Sequence, residues 1–434
     1  MNKQLLKDLP ELITANIISE ETAFKIVGYY KQEKQTAPNI LTVVLAILGA
    51  LLVGSGILLV IAHNWDELSR PVKTTLSFFP LLAAQFVCVY TLLKRKGNIS
   101  WRECSGVLLF FAIGACISLV SQIYQVSGSL SGFLLSWVLL GLPMVYILSS
   151  STVAILCLAA ITWYAAAVGY SDRPGSIPFM YGIVILLLAP HYYFLFKKRS
   201  GSNYLNLLNW FFAVSLTITL GSFSYNQGSW FEWVFLLYCI LFCIYYLVGR
   251  SDFFNGKRLI ANPFLILGLT GIVSIFLIWS FSFLWDEHKT PVTTSILRDP
   301  LPYLIFFGII VLIIMFWKNR RFHFTDLPDP SPYSFVVLLL LLITLGSSPA
   351  TAMFIINAWI FLIALYYIRR GSKEDHFGVL NVGLVILASL SICRFFDDTI
   401  PFIWRGLFFV ATGAGFFIAN YLMLRKRKQL IKPE

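Results

Sequence analysis

The run ILTVVLAILGALLVGSGILLVIA, residues 40–62, carries no charge and is apolar on every face of a helix. A helix rises about 1.5 Å per residue, so roughly 20 apolar residues cross the roughly 30 Å of hydrocarbon in a bilayer. No water satisfies backbone groups inside that layer, and an unbroken helix supplies its own hydrogen bonds. A barrel strand would alternate apolar and polar positions over about ten residues, which this run does not do. Residues 40–62 therefore read as a membrane-spanning helix.

Runs of the same kind recur outward from it, over 72–93, 104–124, 132–149, 151–170, 178–196, 204–222, 230–248, 262–284, 299–317, 333–348, 350–368, 377–393 and 400–424. The 434 residues are 58% hydrophobic and 12% charged, where a soluble domain carries about 25% charged residues. The expected fold class is all-α, a polytopic transmembrane helical bundle of about 14 spans. Two joints widen that to roughly 12 to 14. Within 132–170 only Ser149, Ser150 and Ser151 interrupt the apolar run. One helix of that length overshoots a bilayer, so a tight turn is expected there. Ser347-Ser348-Pro349 plays the same part between 333–348 and 350–368.

Charge sets the orientation. The net charge of +12 comes from clusters that each follow an apolar run: Lys94-Arg95-Lys96, Lys197-Lys198-Arg199, Arg250 with Lys257-Arg258, Lys318 with Arg320-Arg321, Arg369-Arg370 and Arg425-Lys426-Arg427-Lys428. With both termini cytoplasmic, the outside connections hold only Arg70, Lys73, Arg173, Lys289, Arg298 and Arg394, and Arg405 lies inside a span. This is the positive-inside distribution, and it accounts for the basic balance with no nucleic-acid partner. Trp65, Trp101, Trp230, Trp233, Trp285, Trp317 and Trp404 fall near span ends, where amphipathic rings suit the headgroup layer.

Residues 1–38 are polar and lack an apolar core near Met1, so no cleavable signal peptide is expected. They read as a short cytoplasmic amphipathic helical cap, with Ser19 as an N-cap ahead of Glu20 and Glu21. The expected organisation is that cap, a first transmembrane region over 39–170, further transmembrane helices over 171–424 and a basic cytoplasmic tail at 425–434. All seven Cys residues fall in or beside spans, and Cys239 and Cys243, one turn apart, read as small apolar packing residues. The five His residues show no metal-ligand spacing. No phosphate loop, serine-nucleophile elbow, kinase set or dinucleotide fingerprint is present, and neither a metal nor a cofactor is expected.

Polar groups inside hydrocarbon are costly, so they mark where function is sought. The first span ends in His63-Asn64-Trp65-Asp66-Glu67, and the third in Ser118, Ser121, Gln122, Tyr124 and Gln125, followed by Ser127 and Gly128. Both ends face the same side, and Ser118, Gln122 and Gln125 form one stripe if the helix continues that far. Arg405 lies near the external end of the last span. The candidate substrate-binding residues are therefore Asn64, Trp65, Asp66, Gln122, Tyr124, Gln125 and Arg405, with no catalytic acid and base paired among them. Beside this stands a plainer reading: Asn64 and Asp66 end the span, Trp65 anchors it, Gln122 bonds helices and Arg405 snorkels. His191, Asn209, Asn357, Asn381 and Asn420 are isolated, and interhelical hydrogen bonding suffices for each.

The N-terminal cap, the Gly-rich run Gly49-Ala50-Leu51-Leu52-Val53-Gly54-Ser55-Gly56 leading to Asn64-Trp65-Asp66, and Gln122-Ile123-Tyr124 before Ser127-Gly128 resemble the bacterial predicted membrane proteins grouped as domain of unknown function 2157. The resemblance covers roughly residues 1–170. It implies a multi-pass helical protein of the bacterial inner membrane in which Asn64, Trp65, Asp66, Gln122 and Tyr124 match the recurring pattern, and it carries no activity. His63 stands where relatives have a small residue and Ser129 where an acidic one is common, which argues against chemistry at either place.

Many helices and small soluble loops lead first to a non-enzymatic protein that binds or moves a small or lipid-like molecule through an outward-facing polar cavity. A membrane-embedded enzyme on a lipid-linked substrate would need Asp66 or Glu67 as base and Arg405 on phosphate. A scaffold or sensor would act through the basic cap over 1–38.

Overall fold

The computed structural model describes residues 12–15, 18–24, 65, 67–172, 176–199, 201–224, 231–281, 283–286, 300–320, 331–344, 348–374, 377–396 and parts of 402–417. The expected span at 40–62 lies outside them, and the one at 400–424 is described only in short helical stretches. The chain divides into two compact units, Met1–Leu76 and Ser77–Glu434. In the first, Ser19 heads a helical turn over 20–24, its Oγ accepting the Thr22 N–H at 3.3 Å. That is the capping geometry expected of a Ser followed by acidic residues.

Among the described residues twelve helices of 14 residues or more follow: α1 (Arg70–Lys94), α2 (Ile99–Ile123), α3 (Leu130–Ile147), α4 (Ser151–Ala166), α5 (Phe179–Lys198), α6 (Asn203–Ser224), α7 (Phe231–Gly249), α8 (Pro263–Trp279), α9 (Pro300–Arg320), α10 (Ser331–Thr344), α11 (Pro349–Lys373) and α12 (Phe377–Phe395). Helix α4 runs on as a π-helical turn over Ala167–Asp172. Among the described residues no strand occurs, and nine helices, α1 to α6, α9, α11 and α12, are long and apolar enough to cross a membrane. Shorter apolar helices lie within α7, α8 and α10.

Polar residues between the runs decide where each helix starts. Asn98, Ser129, Ser150, Asn262 and Ser348 stand at the N-caps of α2, α3, α4, α8 and α11, each side chain accepting a first-turn N–H. Such a cap satisfies a backbone donor that the helix cannot. The apolar stretch over 132–170 does break in a tight turn, where Ser149 takes φ +50° and its N–H reaches Tyr146 O at 3.2 Å. Pro80, Pro143 and Pro190 lie inside helices, a placement that membrane helices tolerate when neighbours satisfy the freed carbonyls.

Helices α2 to α6 pack around α4, the most enclosed of the candidate spans, with Leu134, Val138, Val153, Cys157, Ile161, Val184 and Leu205 at 0% exposure. A second core joins α7 to α12 around Leu236, Ile240, Trp279, Leu339 and Ile356. Small residues let these helices approach closely, because lipid offers no hydrophobic drive to pair them. A Cβ on Gly268 of α8 would lie 2.5 Å from Tyr246 N of α7. One on Gly383 of α12 would lie 2.7 Å from both Ala364 O and Ile368 N of α11. Trp285, expected at a headgroup layer, is instead buried at 3% exposure, its Nε1–H donating to Trp279 O at 3.0 Å.

Candidate functional site

Cross-helix hydrogen bonds define two ends of the α2–α5 group. At one end the Glu103 carboxylate of α2 accepts the N–H groups of Ser151 and Thr152 at 3.0 and 2.9 Å and the Ser150 hydroxyl, while His191 Nε2 of α5 lies 3.4 Å from Ser151 Oγ. At the other end Asp172 Oδ2 accepts the Ser131 N–H at 3.2 Å. The basic residues 94–96 and 197–199 flank the Glu103 end, so these two clusters share a face of the bundle.

Between α1, α2 and α3 lies a cleft of about 760 Å³. Close contacts hold its helices on two sides. Cys88 of α1 meets Ser105 O of α2 at 3.2 Å near the Glu103 end. On the α2–α3 seam Trp137 stacks on Phe110 at 4.9 Å and donates to Phe110 O at 2.7 Å. Farther from the Glu103 end, Phe78, Leu81 and Gln85 supply the α1 wall. The mouth is polar. Ser121 Oγ donates to Val126 O at 3.0 Å, and Ser129 Oγ accepts the Gly132 N–H at 3.1 Å. Deeper walls are aliphatic, with Leu109, Ile113, Leu140 and Met144. From Ser129 to Met144 the helix advances about 22 Å, at about 1.5 Å per residue. The exposed Gln85 amide is a polar group partway along this apolar wall.

A family model described as Predicted membrane protein (DUF2157) matches residues 10–154. The match covers the part of the chain in which the sequence motifs resemble that family. No curated protein and no solved structure matches the chain. Together with the apolar helices, the match makes the chain an integral membrane protein. Every residue lining the cleft falls within the matched residues, as do Glu103 and the Ser150-Ser151-Thr152 run it caps.

The structure distributes the sequence-derived candidates over several places. Asn64 and Asp66 lie outside the described residues. Trp65 is half-buried in the first unit, with the Lys73 ammonium 5.9 Å from its ring centroid. Gln122, Tyr124 and Gln125 are exposed where α2 ends, and Gln125 takes φ +50° to turn the chain toward α3. They adjoin the cleft mouth, but its lining is formed by Ser121, Val126, Gly128 and Ser129. Arg405 donates to Phe395 O at 3.3 Å. None of the three cavities described in the bundle is lined by Gln122, Tyr124, Gln125 or Arg405. Among the described residues no group of three His, Cys, Asp or Glu side chains is placed to hold a metal ion.

Several buried polar groups escaped the sequence reading. Glu103 precedes the apolar run that begins at Cys104, so it reads as a connection residue, yet it is 8% exposed. Its one available signal is the unbroken Ser149-Ser150-Ser151 run, a helix start that lacks an acidic residue of its own. Arg394 reads as an outside cation, yet it is also 8% exposed. Its Nη2 donates to Ser280 Oγ at 2.8 Å, and its guanidinium lies 4.7 Å from the Phe281 ring centroid. Of the isolated polar residues, His191, Asn209 and Asn357 bond between helices, Asn381 is exposed, and Asn420 lies outside the described residues. Tyr192 donates to Asn209 Oδ1 at 2.8 Å, and Asn357 Nδ2 donates to Ser280 O at 3.1 Å.

Proposed function

We propose that this membrane protein binds a lipid-like amphiphile in the α1–α2–α3 cleft, entering from the end opposite Lys94 and Lys197. The observation that carries the reading is the cleft's polarity: hydroxyl and backbone groups at Ser121, Gly128 and Ser129 at the mouth, aliphatic walls below. A headgroup finds hydrogen-bond partners at the first and a chain finds apolar contact at the second. The volume of about 760 Å³ falls in the range of ordinary ligand cavities, roughly 300–1,000 Å³. Gln85 supplies one polar contact at depth, where an ester or hydroxyl of the ligand would meet it. The charge distribution supports an inner-membrane orientation in which this mouth faces outward.

The test uses a phospholipid with a photoactivatable acyl chain, added to the full-length protein in nanodiscs. Labelling is expected to concentrate on residues 109–144 and to fall about tenfold in Ser136→Phe, since Ser136 lines the cleft. Leu186→Phe, at a side chain 73% exposed on α5, should leave it unchanged. Labelling spread evenly over all outward-facing helices would mean annular lipid only, and the reading would fall.

A further inference from the structure

The richest unassigned surface lies at the opposite end of the bundle, in the connection between α7 and α8. Two one-turn 3₁₀ helices, Asp252–Phe254 and Leu259–Ala261, build it. It is anchored at three points. Asn262 Nδ2 donates to Gly249 O at 2.7 Å, Trp210 Nε1–H donates to Ile260 O at 2.8 Å, and Phe254 is buried at 7% exposure, 5.8 Å from the Phe264 ring. The connection is therefore a shaped surface.

Aromatic packing sets the end of α5, which carries Lys197 and Lys198, against the connection that carries Lys257 and Arg258. Phe196 of α5 packs on Phe253 with ring centroids 4.7 Å apart. The Lys257 ammonium sits 3.4 Å from the Phe253 centroid and 5.4 Å from that of Phe254. Lys197 and Lys198 directly follow Phe196, and Lys198 Nζ lies 4.9 Å from the Phe194 ring. Burial against the rings pushes the Lys257 pKa below the ordinary lysine value, a cost that a bound anion would offset. Arg258 is exposed beside them, with Asp252 the acidic residue of the connection. Next to this cationic group, Leu259 and Ile260 stand 63% and 74% exposed. An exposed apolar pair bordered by cations matches a lipid interface, where acyl carbon and phosphate lie a few ångströms apart.

We propose that Lys197, Lys198, Lys257 and Arg258 form a binding site for the phosphate of an anionic phospholipid, with Leu259 and Ile260 inserted among its acyl chains. Basic pockets between membrane helices take such headgroups, and each cation near a membrane surface contributes about 1 kcal/mol, or about fivefold in affinity. The site is separate from the cleft and does not depend on it.

The experiment compares retention of phosphatidylglycerol and phosphatidylcholine by the full-length protein in mild detergent, using native mass spectrometry and the melting midpoint. Phosphatidylglycerol should be retained preferentially and raise the midpoint. Lys197→Gln/Lys198→Gln/Lys257→Gln should lower that preference at least tenfold, and Leu259→Ser/Ile260→Ser should lower it with charge unchanged. Lys94→Gln/Arg95→Gln/Lys96→Gln, at another basic connection, should preserve it. If the triple variant does not fold, Lys198→Gln and Leu259→Ser separately carry the same two arms. Equal retention of the two lipids, a preference that survives the site variants, or equal loss in the control variant would overturn the proposal. Displacement by excess inorganic phosphate would do so as well, by making free phosphate the ligand.

Discussion

The α2–α6 group buries a carboxylate and the α7–α12 group buries a guanidinium, and the two are held in different ways. Glu103 receives one hydroxyl and two backbone N–H donors at the start of α4, so its negative charge meets both hydrogen bonds and the positive end of a helix. Arg394 donates to the Ser280 hydroxyl and lies against the Phe281 ring. Polar seams continue through the first group: Ser215 Oγ lies 2.6 Å from Thr162 Oγ1 and 2.8 Å from the Tyr181 hydroxyl. The second group instead draws α7 to α8 and α11 to α12 through glycines at backbone contact. Side-chain volume matters in the first group as well, where Cβ atoms on Gly114 and Gly141 would meet the Trp137 and Phe110 rings, so the contrast lies in how each buried charge is held.

The largest break in that contrast is expected from Glu103→Ala. It strips the buried Ser150 hydroxyl and the Ser151 and Thr152 N–H groups of their acceptor, and each unsatisfied buried donor costs about 1–3 kcal/mol, giving a loss of about 3 kcal/mol or more. Glu103→Gln, which keeps an acceptor but no charge, should recover about half. Equilibrium unfolding in mixed micelles reads both, and equal losses for the two variants would show that a neutral acceptor contributes nothing and the charge everything. Gly268→Leu should come next at about 2–3 kcal/mol by the same assay, because the added atoms meet the Tyr246 backbone.

Arg394→Lys should cost about 1 kcal/mol, since lysine keeps the cation but cannot reproduce the planar guanidinium on the Phe281 ring. Ser280 Oγ keeps its bond to Leu277 O at 2.6 Å, so no hydroxyl donor is stranded. A loss as large as that of Glu103→Ala would mean that the two halves treat buried charge alike. The smallest effect is expected from Thr162→Val. One interhelical hydroxyl bond between membrane helices contributes about 0.6 kcal/mol on average, and Ser215 retains the Tyr181 contact.

How much of this was legible from residues alone varies with the range of the interaction. Helix starts at Asn98, Ser129, Ser150, Asn262 and Ser348 are local events, so a polar residue before an apolar run announces them. The turn at Ser149 follows from bilayer thickness. Gln122 stood out because it is polar at a span end, and the helix does run to Ile123 beside it, but rotation about the helix axis places Ser121 rather than Gln122 in the cleft lining. Gln85 is a single polar residue in an apolar run, and nothing near it in sequence distinguishes a cleft wall from an ordinary helix contact.

Run length and composition alone make this chain helical and membrane-embedded, because hydrocarbon thickness and backbone hydrogen bonding act on each run separately. Which polar groups meet is set by the packing of the helices. Glu103 finds Ser150 and Ser151 across 47 and 48 positions, and Phe196 finds Phe253, because antiparallel helices bring distant residues to one level of the bundle. Those meetings depend on helix rotation and on side-chain volumes contributed by several segments at once.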